Sequence, residues 1–275
     1  MNTWGVEQGC TDLVGCAALG QVFDVVSLCS PSSFHADDLR TLLTMPVRAV
    51  FAEKPLTGDS NTSLQIIEAF AAKQILIAVN YTRRWSPGLA QIRADIVAGK
   101  WGRVTGGIGR YSKGLYNCGS HMIDLVNYLV GPVVPEQVFS KIEDFSASDP
   151  TLSVFMKFEN DSQFVLIGSD GRDFFTFELT LITEKGEIVI EDLGRRVRYR
   201  LAEPHALYST QITLPVMESV DTGFDGAMLA AITNIADHLN KGKSVPSDGM
   251  SAFHAERTCA EIMRLTENFD SGEAN

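Results

Sequence analysis

No run of about 18 apolar residues occurs in this 275-residue chain, which excludes a membrane-spanning helix. Basic residues are the minority. The 23 Lys and Arg stand against 34 Asp and Glu, a formal net charge of -11. A nucleic-acid partner wants a basic face, so that class is set aside. Cysteines are few: Cys10, Cys16, Cys29, Cys118 and Cys259 form no C-x-x-C pair and no metal-ligand spacing. An odd, scattered set reads as reduced thiols. The five histidines make no pair at helical spacing, which leaves a metal-dependent hydrolase poorly supported. Residues 1–20 lack the basic start and apolar stretch of a signal peptide, so a cytoplasmic location is expected. Internal repeats, low-complexity tracts and long linkers are lacking too. What remains is 45% hydrophobic and 21% charged, ordinary for one large or two modest globular domains.

The first third alternates strand and helix. Phe23 to Cys29 is a near-continuous apolar run, the pattern of a strand buried on both faces. Ser30-Pro31-Ser32-Ser33 breaks it, and a helix through His35 to Leu43 is expected with Ser33 as its cap. A strand at Arg48 to Glu53, a helix at Ser60 to Ala72 and a strand at Gln74 to Asn80 follow. This alternation predicts part of a doubly wound parallel sheet over residues 1–83. Residues 84–275 read as an α+β domain. A helix from Pro87 leads to strands at Arg103–Tyr111, Glu136–Ile142, Leu152–Phe158, Gln163–Ser169, Phe174–Ile182, Ile188–Ile190 and Arg196–Leu201. Turns are marked by Glu159-Asn160-Asp161 and Glu184-Lys185-Gly186, so the sheet is expected to be mainly antiparallel and open-faced. Amphipathic helices at Phe224–Asn240 and from Ser247 onward close the chain.

Two constellations carry chemistry. Lys54 lies where a parallel strand runs into Glu53-Lys54-Pro55, the end at which doubly wound folds place ligands. A partly desolvated lysine there can move a proton, with Glu53 as neighbouring charge and Pro55 fixing the turn, although a lysine at a strand exit is also a common surface residue. In Asn117-Cys118-Gly119-Ser120-His121-Met122-Ile123-Asp124, the residues Asn117, His121 and Asp124 share one helical face. Asp124 is placed to orient the His121 imidazole; the plainer alternative is a helix whose histidine is merely hydrogen-bonded.

Taken in order, these segments resemble the Gfo/Idh/MocA family of nicotinamide-dependent sugar oxidoreductases. Ser30-Pro31 with His35 resembles its strand-end Pro…His segment, and Glu53-Lys54-Pro55 its lysine turn. Asn80-Tyr81-Thr82-Arg83-Arg84-Trp85 resembles its Asn-x-x-Arg-aromatic segment, and Gly99-Lys100-Trp101-Gly102-Arg103-Val104 its Gly-x-x-Gly-x-Val segment. Gly119 to Asp124 resembles its Gly-x-His-x-x-Asp, and Pro246 to Gly249 the start of its last helix. The resemblance runs from about Phe23 to Leu265 and implies hydride transfer between a sugar or nucleotide-sugar hydroxyl and NAD or NADP. It implies His121 as base, Lys54 assisting the proton transfer and Asn117 beside them. It places Ser30, Pro31, His35, Glu53 and Pro55 by the cofactor, and Arg84, Lys113, Tyr116 and Asp124 by the substrate. A homo-oligomer is also implied.

Two departures stand against it. Many members have aspartate where Asn117 stands, and asparagine carries no negative charge to support an imidazolium. The family's opening Gly-x-Gly-x-x-Gly unit is also missing. Nothing before Phe23 qualifies, and Gly107-Ile108-Gly109 lacks the third glycine. About 60 residues of βαβ structure, at about 30 per unit, are expected to be absent. The strand at Phe23 would then be a bare edge, to be covered by a second chain, by residues 1–20 or by self-association. The alternatives are a non-catalytic relative that binds a sugar or a protein partner, or a fragment of a longer enzyme.

Overall fold

The computed structural model describes residues 9–208, 210–216 and 218–271. The chain forms two compact units, Met1–Asn80 with Thr233–Phe253, and Tyr81–Ile232 with His254–Asn275. Residues 233–253 thus belong to the first unit, far from it in sequence.

The first unit holds three parallel strands, β1 (Phe23–Leu28), β2 (Val47–Ala52) and β3 (Leu76–Val79), in the order β1-β2-β3. Val26 pairs with Val50, and Val50 with Ile77. Helices α2 (His35–Leu42) and α3 (Ser60–Ala72) make the crossovers that parallel pairing requires. Asp59 caps α3 by accepting the Thr62 N–H at 2.8 Å. Ser33 does not cap α2. A 3-10 turn at Ser32–Phe34 leads into that helix, and the Phe34 N–H donates to the Pro31 carbonyl instead. Leu39, Leu42, Val50, Phe70 and Ala78 form the core. The outer edge of β3 is closed by the chain's return, where the Val79 N–H donates to the Ser247 carbonyl and the Ser247 hydroxyl to the Val79 carbonyl. β1 has no such cover among the described residues. Asp24, Val25 and Ser27 are exposed, so burial on both faces is not what this strand has. Among the described residues β2 alone pairs with it, which leaves the strand at the edge of the sheet. Of the segment considered as its cover, residues 1–8 lie outside the described residues, and Leu13–Ala17 forms α1 under an Asp12 cap.

The second unit is built on eight strands. Four are β4 (Val104–Ser112), β5 (Val133–Ser146), β6 (Asp149–Phe158) and β7 (Gln163–Ser169). The others are β8 (Phe177–Thr183), β9 (Gly186–Glu191), β10 (Arg196–Leu201) and, after a two-stranded ribbon of β11 (Glu203–Pro204) and β12 (Ile212–Thr213), β13 (Glu218–Asp221). Their order is β13-β10-β9-β8-β4-β7-β6-β5. Hairpin neighbours are antiparallel, but β4 and β7 run parallel, with Gly109 opposite Leu166, so the sheet is mixed. The parallel pair arises because a helix and the β5–β6 hairpin intervene between them. One face carries helices: α4 (Pro87–Val97), α5 (Ser120–Leu129) and part of α7 (Gly249–Ser271), while α6 (Ala227–Lys241) precedes the last. Gly109 lets α5 approach β4, since a Cβ there would lie 2.9 Å from the Met122 Cγ. Tyr111, Val154, Phe164, Leu166, Leu179 and Ile190 are fully buried on this side. The opposite face leaves Ile108, Phe139, Phe155 and Ile182 exposed. Among the described residues no helix is long and apolar enough to cross a membrane.

Candidate functional site

In the first unit the strand exits are tied to one another. The Glu53 N–H donates to the Leu28 carbonyl and the Asn80 N–H to the Ala52 carbonyl, so the ladder runs on past the strands. Asn80 also donates from Nδ2 to the Glu53 carboxylate at 2.8 Å. His35 is fully buried. Its Nδ1 lies 2.8 Å from the Pro55 carbonyl oxygen and its Nε2 2.8 Å from that of Ser30. The ring therefore braces the two exit turns from beneath. The Ser30 hydroxyl donates to Asp38 at 2.5 Å. Pro31 is exposed, Lys54 and Pro55 are half-buried, and the Lys54–Pro55 bond is cis.

In the second unit the segment between β4 and α5 gathers Lys113, Tyr116 and Asn117, with His121 just beyond. Lys113 and Gly114 both take left-handed backbone, at φ 67° and 84°. A single π-helical turn at Leu115–Gly119 follows and delivers His121 to the start of α5. Such turns and left-handed non-glycine residues concentrate at functional sites. Lys113 is exposed, with Nζ 5.3 Å from the Phe175 ring centroid. Tyr116, Asn117 and His121 are half-buried. The Asn117 amide donates to the Lys113 carbonyl at 2.9 Å. The His121 ring meets Tyr81 edge-on, with centroids 5.4 Å apart. Tyr81 is fully buried, and burial, with Asp124, Cys259 and Glu256 nearby, pushes its phenol well above the usual value.

Arg84 and Asp124 are brought together, away from solvent. The Arg84 Nε lies 3.0 and 2.9 Å from the two Asp124 oxygens, and Nη2 lies 2.9 Å from the first. The pair joins the 3-10 turn Thr82–Trp85 to the middle of α5 and so holds the helix that carries His121.

Sequence reasoning passed over Arg83, Asp144 and Asp149. The Arg83 guanidinium sits 3.6 Å from the Phe177 ring centroid and donates through Nε and Nη2 to the Leu193 carbonyl. Burial lowers its pKa to about 10, against the pull of Cys118 and Asp124. Asp144 and Asp149 flank the β5–β6 turn and accept backbone N–H groups of the Lys113–Gly119 stretch. Acidic residues around a hairpin turn were the only signal of them in the sequence.

A dinucleotide has two ends to be held. Pro31, Lys54 and Pro55, expected beside the nicotinamide ring, stand at the exits of β1 and β2. The diphosphate wants free backbone N–H groups at a helix N-terminus. At the start of α3 the Thr62 and Ser63 N–H groups are taken by Asp59, and α2 has no side-chain cap. α2 carries Asp37 and Asp38 in its first turn, and α3 begins under the Asp59 carboxylate. Negative charge at both N-termini opposes a phosphate, so the described residues do not fit the diphosphate end.

Residues 100–268 match the family model described as Oxidoreductase family, C-terminal alpha/beta domain, of the Gfo/Idh/MocA group. A stretch of 81 residues is 37% identical to Inositol 2-dehydrogenase 4 of Saccharopolyspora erythraea, covering 29% of this chain and 24% of that protein. The fold is similar to that of levoglucosan dehydrogenase, solved in complex with NADH and levoglucosan. The TM-score is 0.80 at 16% identity, over 97% of this chain and 84% of that one. It is also similar to UDP-N-acetylglucosamine 3-dehydrogenase from Acidithiobacillus ferrooxidans, with a TM-score of 0.72 at 16% identity over 95% of this chain and 83% of that one.

Proposed function

Because this chain belongs to the Gfo/Idh/MocA family of oxidoreductases, we propose that its second unit receives a sugar or nucleotide sugar along Lys113–His121, and that His121 takes up the proton of the hydroxyl being oxidised. The observation that supports this reading is the pinned turn ahead of α5, which presents Lys113, Tyr116 and Asn117 next to a half-buried histidine braced by Tyr81. Lys113, Tyr116 and Asn117 supply hydrogen bonds to sugar hydroxyls. Arg84 and Asp124 act from beneath by holding α5. In the first unit Lys54 is the group able to carry a proton, and with Pro31, Glu53 and Pro55 it lines the strand exits, where Ser30 and His35 keep the turns in place. The acceptor class is NAD or NADP, by analogy with the NADH complex of levoglucosan dehydrogenase.

The acidic helix starts of the first unit favour a second reading, a relative that binds the sugar without turning it over. Isothermal titration separates the two. Levoglucosan, myo-inositol and UDP-N-acetylglucosamine are titrated into wild type and His121→Ala, and NADH and NADPH into wild type. Binding of a sugar and of a dinucleotide, with turnover lost in His121→Ala, supports the oxidoreductase. Sugar binding with no dinucleotide binding supports the second reading. A chain that binds none of the three sugars would sink both.

A further inference from the structure

The turn that carries the substrate-side residues is held by another element, and the hydrogen bonds can be followed one by one. The Lys113 N–H donates to Asp144 Oδ2 at 2.9 Å, and the Gly171 N–H reaches the same oxygen at 2.7 Å. The Gly114 N–H donates to the Thr151 hydroxyl at 2.7 Å, which in turn donates to Asp144 Oδ1 at 2.6 Å. The Tyr116 N–H donates to Asp149 Oδ1 at 2.7 Å and the Asn117 N–H to Asp149 Oδ2 at 3.0 Å. The Cys118 and Gly119 N–H groups close the turn on the Gly114 carbonyl. The β5–β6 hairpin therefore supplies the acceptors for Lys113, Gly114, Tyr116 and Asn117. Bonds from N–H groups to an ionised carboxylate are stronger than neutral ones, and two of them on one carboxylate fix direction as well as distance.

The fit is close on both sides. A Cβ at Gly114 would lie 2.3 Å from Asp149 Oδ2, and one at Gly171 would lie 2.6 Å from the Lys113 Cγ. Lys113 and Gly114 are in left-handed backbone, which a non-glycine residue keeps only where its surroundings over-determine it. Left to itself the stretch would relax to commoner backbone angles. Lys113, Tyr116, Asn117 and the start of α5 would then move with it.

We propose that Asp149, supported by Asp144 and Thr151, is a positioning residue. Its carboxylate holds the Lys113–Gly119 turn in the one conformation that presents Lys113, Tyr116 and Asn117 to the sugar and sets the start of the helix bearing His121. The role in sugar recognition rests on the function proposed above; the clamp on the turn does not.

The test uses the full chain with Asp149→Ala, Asp149→Glu and Asp149→Asn. Amide hydrogen exchange is read over residues 113–119, and titration uses levoglucosan, myo-inositol and UDP-N-acetylglucosamine. Asp149→Ala is expected to speed exchange in 113–119, leave the β7 to β10 amides as in wild type, and weaken the sugar that wild type binds by about tenfold or more. Where turnover is measurable, the loss falls on kcat as well as KM, because a misplaced site can lose about a hundredfold. Asp149→Glu, which keeps the charge, recovers part of the protection and part of the affinity. If Asp149→Ala does not fold, the isosteric Asp149→Asn carries the test, because its amide nitrogen cannot accept and one of the Tyr116 and Asn117 N–H groups loses its partner. Exchange in 113–119 at the wild-type rate overturns the clamp. Faster exchange with unchanged sugar affinity overturns its part in recognition. If wild type binds none of the sugars, the function proposed above fails, and the exchange rates alone still decide the clamp.

Discussion

Arg84 and Asp124 were both expected at the substrate, and the fold places them against each other. Asp124 is 1% exposed and Arg84 8%. Helical spacing put Asp124 near His121, but spacing along one helix carries no record of a cation 40 residues earlier in the chain. Removing one member of such a pair leaves a buried charge with its main partner gone, a loss of about 3–5 kcal/mol. Arg84→Ala is therefore expected to lower unfolding stability by that amount, and Arg84→Met with Asp124→Leu to recover much of it; urea denaturation reads both. Asp144 makes a separate, pH-dependent contribution. Burial by itself would raise its pKa, but hydrogen bonds from Thr151, Lys113 and Gly171 outweigh burial and hold it below the ordinary carboxylate value. A group with a lowered folded pKa stabilises fully above its unfolded value and loses that contribution as pH falls through the folded one. Wild type should thus lose stability below about pH 4 in a way that Asp144→Asn does not. Thermal melts at stepped pH values check it; parallel curves for the two proteins would remove Asp144 from the acid response.

At the scale of elements, local pattern located most strands and helices and misjudged their surroundings. Gln163–Ser169 and Arg196–Leu201 are strands over the expected residues, because apolar alternation between turn residues specifies them locally. β5 extends to Val133–Ser146, well past Glu136–Ile142, because pairing with β6 continues through three register shifts that no periodicity encodes. The parallel pairing of β4 with β7 was likewise out of reach, being chosen by which strand a detour through α5 brings alongside. The α5–β4 contact depends on Gly109. Gly109→Val would drive methyl groups into Met122 and Phe164, within 3.0 Å of the Cβ position. Overpacking of this kind costs about 1–3 kcal/mol. The midpoint of urea unfolding should fall accordingly, and Gly106→Val, where a Cβ meets only the Gln163 carbonyl at 3.5 Å, should change it less.

For the whole molecule, the open face of the eight-stranded sheet is the feature with most consequence. Phe139 and Phe155 pair with ring centroids 4.4 Å apart, and both remain about two-fifths exposed beside exposed Ile108. A homo-oligomer, if formed, would be expected to cover such apolar side chains. The expected homo-oligomer would be seen in light scattering after size exclusion as a multiple of the 30.0 kDa chain mass. Phe155→Glu should shift the species toward one chain, and a wild type that runs at one chain mass at all concentrations would refute it.

The order of elements, the mixed α/β and α+β character and the site-bearing segments were determined by the sequence itself. Each depends on short-range pattern: apolar period, turn residues, and a strand running into Glu53-Lys54-Pro55. The partners of three site side chains depended on tertiary structure alone. Arg84 chose Asp124, His35 chose two strand-exit carbonyls, and Asp149 took two backbone N–H groups over 30 residues earlier in the chain. The physical reason is that a buried polar group must find a partner wherever the fold brings one, and sequence distance has no part in that choice.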